Sequence, residues 1–186
     1  MRYSGIANMA MSLKPQELLV LLKVCAHPER KFTFAALSKE LSMSAAEVHA
    51  SVKRAVVAGL AVQRGRGDWQ PIRPALQEFL LHGARYAFPA EVGAVKRGVP
   101  TSYGVPPLAG ALLGGGDAPV WAHPQGSARG PSLSPIYRTA PQAALADPAL
   151  HQLLALLDAL RTGRAREREL AGKFVLAALS GLDAAA

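Results

Sequence analysis

The 186-residue sequence has one cysteine, Cys25, so an internal disulfide and a multi-thiolate metal centre are both excluded. No run of roughly 18 residues or more is free of charges and helix breakers, which argues against a membrane-spanning helix. Residues 1–13 lack the apolar stretch of a secretory signal, and a cytoplasmic location is expected. The five histidines, His27, His49, His82, His123 and His151, are scattered and have no acidic cluster beside them, so no metal site is expected. Gly114-Gly115-Gly116 lacks the Lys-Ser/Thr that follows in a phosphate loop, and no serine sits in a nucleophile elbow. Glu167 and Glu169 stand among arginines, where ion pairing explains them. The sequence therefore predicts a protein that is not an enzyme and carries no cofactor.

Acidic residues are also short in number, 13 Asp+Glu against 21 Lys+Arg, for a net charge of +8. An excess of this sign suits a polyanionic partner. It is uneven along the chain: residues 1–90 hold twelve Lys/Arg against six Asp/Glu, and residues 91–186 hold nine against seven. Proline and glycine follow a different distribution, with nine of each between Pro89 and Pro141. Four regions result: an arm over 1–12, a helical module over 13–88, a Pro/Gly-rich region over 89–146 and a helical C-terminus over 147–186. Met1–Ala10 reads as an extended start or a non-native remnant. If native, Arg2 and Tyr3 could reach DNA.

Within the module, Pro15 opens a helix carrying Leu18, Leu19, Leu21, Leu22 and Val24 and ending near His27. Thr33 can cap a second helix with Phe34, Leu37 and Leu41 inside. After the Ser42-Met43 turn, Ser44-Ala-Ala-Glu47 is a capping box that opens a third helix, running to about Ala58. Its inner face is Val48, Val52, Ala55 and Val56, and Gly59 stops it. Leu60–Arg64, Gly65–Asp68 and Trp69–Ile72 then read as strand, tip and strand. Pro74–Ala87 predicts a fourth amphipathic helix.

The stretch FTFAALSKELSMSAAEVHASVKRAVVAGLAVQRGRGDW, with its LSMS turn, capping box, AGL ending and Arg/Gly tip in order, resembles the bacterial winged helix-turn-helix of MarR-like transcriptional regulators. With the first helix, the likeness covers about a third of the chain. Those regulators place dimerising helices directly beside the motif, and this chain does not. The resemblance implies a mainly α fold with a small β-hairpin wing, to which an extended loop arm and C-terminal helices are added. It also implies a double-stranded DNA partner, with Ala45–Ala58 as the recognition helix. Ser44, Ala45, Ala46, His49, Ala50, Lys53 and Arg54 are expected on the solvent side of that helix. His49 and Lys53, four apart, share a face with Ala46 and can enter one major groove; Arg54 can reach phosphate or guanine. Thr33, Ser42 and Ser44 are candidate phosphate contacts, and Arg64 and Arg66 would meet phosphates from the wing.

The middle region is too apolar for a free linker, because Tyr103, Leu108, Leu112, Leu113, Val120, Trp121, Leu133, Ile136 and Tyr137 need cover. It is expected to form either an extended arm laid over its own domain or a second subunit, or a long ordered surface loop, with Ala118–Leu133 as a possible edge hairpin. Lys96-Arg97 reads as an exposed turn or a second phosphate contact. In the C-terminus Asp147-Pro148 opens a helix with Leu150, Leu153, Leu154, Leu156, Leu157 and Leu160, and Arg164–Leu182 forms another. That leucine excess fits either subunit association, hence a homodimer on a palindromic operator, or cover for the first helix. The alternative function is that of an antitoxin-like or adaptor protein gripping a protein partner through 89–182.

Overall fold

The computed structural model describes residues 12–65, 67–111 and 117–180. The arm with Arg2 and Tyr3, Arg66 of the hairpin tip, Leu112, Leu113 and Gly114–Gly116 lie outside the described residues. Helix α1 (Pro15–Cys25) is buried on nearly every side, with Leu18, Leu19, Val20, Leu21 and Leu22 all sealed from water. Such a helix needs neighbours all round. Helix α2 (Phe34–Leu41) begins where Thr33 Oγ1 accepts the Ala36 amide at 3.1 Å, and ends at Ser42 in the left-handed region, φ 52°. Helix α3 (Ala45–Val57) opens with the expected capping box: Ser44 Oγ accepts the Glu47 amide at 3.1 Å, and Glu47 Oε2 accepts the Ser44 amide at 2.8 Å. Gly59 at φ 73° turns the chain into β1 (Ala61–Gly65), which pairs antiparallel with β2 (Asp68–Pro71).

The fourth helix runs through three segments, α4 (Arg73–Glu78), a π turn (Phe79–Gly83) and α5 (Ala84–Ala87). The π turn was not legible in the sequence. Gly83 permits it, since a Cβ there would sit 2.8 Å from the Phe79 ring.

The middle region is neither an extended arm nor a simple loop. Strand β3 (Val92–Pro100) pairs antiparallel with both β4 (Val120–Ala122) and β5 (Ala128–Leu133), and β4 meets β5 in parallel, so the three close on themselves. The expected hairpin over 118–133 is thus replaced by two strands flanking β3. Gly98 and Gly126 allow that closure: a Cβ on Gly98 would lie 2.1 Å from the Trp121 carbonyl oxygen, and one on Gly126 would strike the Gly98 backbone. A 3-10 turn (Ser102–Gly104) and α6 (Leu108–Ala111) join β3 toward β4.

Helices α7 (Ala140–Ala146), α8 (Pro148–Thr162) and α9 (Ala165–Ser180) complete the chain, and α7 had no counterpart in the sequence reading. Asp147 caps α8 through the Leu150 amide at 3.1 Å. Leu150, Leu153, Leu154, Leu156, Leu157 and Leu160 are all buried within this one chain, against α1, α5, α7 and α9. These leucines therefore cover the first helix rather than offer a face to a second subunit. The core is continuous from Leu18 to Leu179, so the C-terminal helices and the first module share one interior.

Buried ionic groups fasten the parts. Asp158 of α8 accepts from Thr101 Oγ1 at 2.8 Å, Trp121 Nε1 at 2.7 Å and Arg161 at 2.7 Å, and Arg161 also donates to the carbonyls of Phe88, Pro89 and Ser134. This pair ties the β3–β5 unit to α8. Lys23 of α1 bridges Glu40 of α2 at 2.7 Å and Asp147 at 2.6 Å, and so ties the first module to α8 from the other side. Buried charges of this kind persist when paired and hydrogen-bonded on every side.

Candidate nucleic-acid interface

Helix α3 carries two faces whose separation follows from its apolar spacing. Val48, Ser51, Val52 and Ala55 point inward, leaving Ser44, Ala45, Ala46, His49 and Lys53 exposed, with Ala50 half-buried. His49 and Lys53 open with Phe34, Val52, Gln63 and Gly67 onto a hollow of about 620 Å³ between α2, α3 and the hairpin. The His49 ring is held by the Phe34 ring, centroids 5.2 Å apart. Arg64 is exposed on β1, next to Gln63, whose Nε2 braces the tip by donating to the Gly65 carbonyl at 3.2 Å.

The hydroxyl candidates surround the start of α3. Thr33 and Ser44 are exposed, and each uses its oxygen to accept the cap amide, which leaves its O–H able to donate outward. Ser42 is exposed in the turn between α2 and α3.

Arg54 is a correction. It is only 8% exposed, and its Nε and Nη2 donate to Glu17 Oε1 at 3.1 and 2.5 Å. Successive helical residues diverge by about 100°, so of the adjacent pair Lys53 and Arg54 only the one four residues from His49 can share its face. Arg54 instead neutralises Glu17, which is fully buried in α1. The sequence did carry a signal: Glu17 is an acid inside an otherwise apolar stretch of α1 and requires a counter-charge.

Two residues of the middle region join this surface unannounced. Tyr137 Oη donates to Glu47 Oε1 at 2.6 Å, and Arg138 Nη2 approaches the same oxygen at 3.3 Å with its side chain 73% exposed. The Tyr137 hydroxyl, together with the Ser44 amide, holds the Glu47 carboxyl at about 2, far below the usual range. Arg138 thereby sets a cation over the only carboxylate in α3. No local pattern could have revealed it, because ninety positions separate Tyr137 from Glu47.

Elsewhere the described residues contain no cluster of three or more His, Cys, Asp or Glu able to hold a metal ion, and no helix is long and apolar enough to cross a membrane. Compared with protein-family models, with curated proteins and with solved structures, the chain matches none of them, so the reading of this surface rests on its own geometry.

Proposed function

We propose that the protein is a transcriptional regulator that binds double-stranded DNA through a winged helix-turn-helix, with α3 in the major groove and the β1–β2 hairpin as the wing. The observation that carries this reading is the shared orientation of His49 and Lys53, which open onto one hollow with the hairpin while the inner face of α3 is locked into the core. Ala45, Ala46 and Ala50 offer methyl contacts to thymine, and His49 offers a hydrogen bond to a base edge. Lys53, Arg64 and Arg138 supply phosphate contacts, with Thr33, Ser42 and Ser44 adding hydroxyls and helix-start amides. Such a surface reads few bases, so much of its affinity is electrostatic. The proposal does not extend to a homodimer on a palindrome, because the leucines that suggested one are spent inside the chain.

Fluorescence anisotropy with duplex DNA from upstream of the protein's own gene tests this. The binding constant should fall steeply with salt, and Lys53→Ala plus Arg64→Ala should lower the slope of log K against log salt by about 2, at roughly 0.9 per phosphate contact. Binding that ignores salt, or that this double variant leaves unchanged, would overturn the proposal.

A further inference from the structure

The exposed side of the β3–β5 pair holds charges that the rest of the molecule leaves unanswered. Arg97 and Arg129 are partners directly across the antiparallel ladder, so their side chains leave the same face of the sheet. Like charges in that relationship are destabilising unless an anion lies between them. Among the described residues no carboxylate pairs with Arg97, Arg129 or the neighbouring Lys96; Arg97 only donates its Nε to the Gly126 carbonyl at 2.8 Å. Other surface cations also lack a carboxylate; what sets Arg97 and Arg129 apart is that they face each other across one ladder pair.

Apolar surface is mixed with that charge. Val92 and Val95 of the same strand are 65% and 54% exposed, in a protein whose other valines are mostly in the core. Lys96, which leaves the strand on the side opposite Arg97, lines a hollow of about 360 Å³ with Glu91, Val92, Ser132 and Leu133, large enough to seat an apolar side chain. On the edge away from β5, β3 gains β4 only from Gly98 onward and the Arg97 carbonyl accepts the His123 amide at 3.3 Å, leaving Val92–Lys96 without a second strand among the described residues.

We infer that the outer face of β3 and β5 is a docking surface for an acidic, extended segment of a partner protein, whose carboxylates engage the Arg97 and Arg129 pair and whose apolar side chains cover Val92 and Val95. Charge complementarity selects this occupant. A second copy docked face to face would bring the same two arginines against themselves. A nucleic-acid backbone would satisfy the arginines yet leave both valines in water. An extended peptide answers all three features at once, with main-chain pairing along the open edge, carboxylates for the guanidinium forks and side chains for the hollow.

The test selects short random peptides displayed on phage against the full chain, then titrates the enriched peptides calorimetrically into wild type and Arg97→Ala/Arg129→Ala. Enriched peptides should alternate Asp or Glu with apolar residues, and the double variant should weaken them about tenfold or more. Amide shifts of the unmutated chain on adding peptide should concentrate in Val92–Arg97 and Ala128–Leu133, a readout that survives any misfolding of the variant. Absence of enrichment, enrichment of neutral or basic peptides, or shifts elsewhere would each overturn the inference. So would a duplex DNA fragment or phosphatidylserine vesicles binding this face with the same dependence on both arginines. DNA binding through α3 is read separately, so its failure leaves this outcome intact.

Discussion

Tyr137, in the connection after β5, donates its hydroxyl to Glu47 in the first turn of α3 at 2.6 Å, so the Pro/Gly-rich region is bonded to the helix proposed to enter DNA. Removing that donor should release the carboxylate. In Tyr137→Phe the Glu47 carboxyl should titrate higher than its present value of about 2, moving toward the ordinary glutamate range. Carbon-detected NMR titration of the side chain reads this directly, and an unmoved pKa would show that the hydroxyl does not govern it.

Arg138 offers a separable prediction. Arg138→Ala should weaken duplex binding and reduce the salt slope by about 1, while Arg138→Lys should retain the slope, since a phosphate contact needs charge rather than a fork. Anisotropy titrations across a salt series distinguish the two. An unchanged slope in the alanine variant would confine Arg138 to its pairing with Glu47.

Arg54→Ala should destabilise the fold by about 3–5 kcal/mol by leaving Glu17 buried and unpaired. Replacing both partners, as Arg54→Met with Glu17→Leu, should recover most of that loss. Urea unfolding measures both, and DNA affinity per folded molecule should be the same in the double variant as in wild type.

Among the buried carboxyls, Asp147 should contribute to acid sensitivity. Burial would raise its carboxyl, yet hydrogen bonds from Lys23, His27 and the Leu150 amide outweigh it and hold the group at about 2, below its ordinary 3.8. A carboxyl lowered in the folded state contributes its full stabilisation above the unfolded value, and loses it as pH falls through the folded one. Thermal midpoints should therefore decline between about pH 4 and pH 2, and Asp147→Asn should flatten this part of the profile at the cost of lower stability near neutrality.

Cys25 should be inert. Burial pushes its thiol up to about 11, with nearby Arg73 opposing only in part, so almost no thiolate exists near neutral pH. Ellman's reagent should react with the native chain far more slowly than with the chain in denaturant. Equal rates would contradict the burial.

Where the chain's information is local, the sequence revealed it. Ser44 and Glu47 satisfy each other's amides within one turn, Thr33 caps its own helix, Asp147 caps α8, and Gly59 takes a conformation open to glycine, so the boundaries of α2, α3 and α8 follow from neighbours three or four positions away. The exposure of His49 and Lys53 follows in the same way, from the period of the valines beneath them.

The contacts that decided the rest are remote in sequence. The helical wheel already parts Arg54 from Lys53 by about 100°, and it is Glu17, thirty-seven positions earlier, that draws its guanidinium into the interior as the counter-charge of a buried carboxylate. The middle region became three closed strands because Gly98 and Gly126 let backbones approach, and because Asp158 and Arg161 of a later helix hydrogen-bond its turns and carbonyls. The leucines of α8 had two possible destinations by composition alone, and only packing chose α1, α5, α7 and α9 over a second subunit. Helix caps and periodicity act through a few residues of chain and are written in it. Charge pairing, strand closure and the choice of partner for an apolar face depend on which distant groups compete for the same space, and the tertiary structure alone settled them.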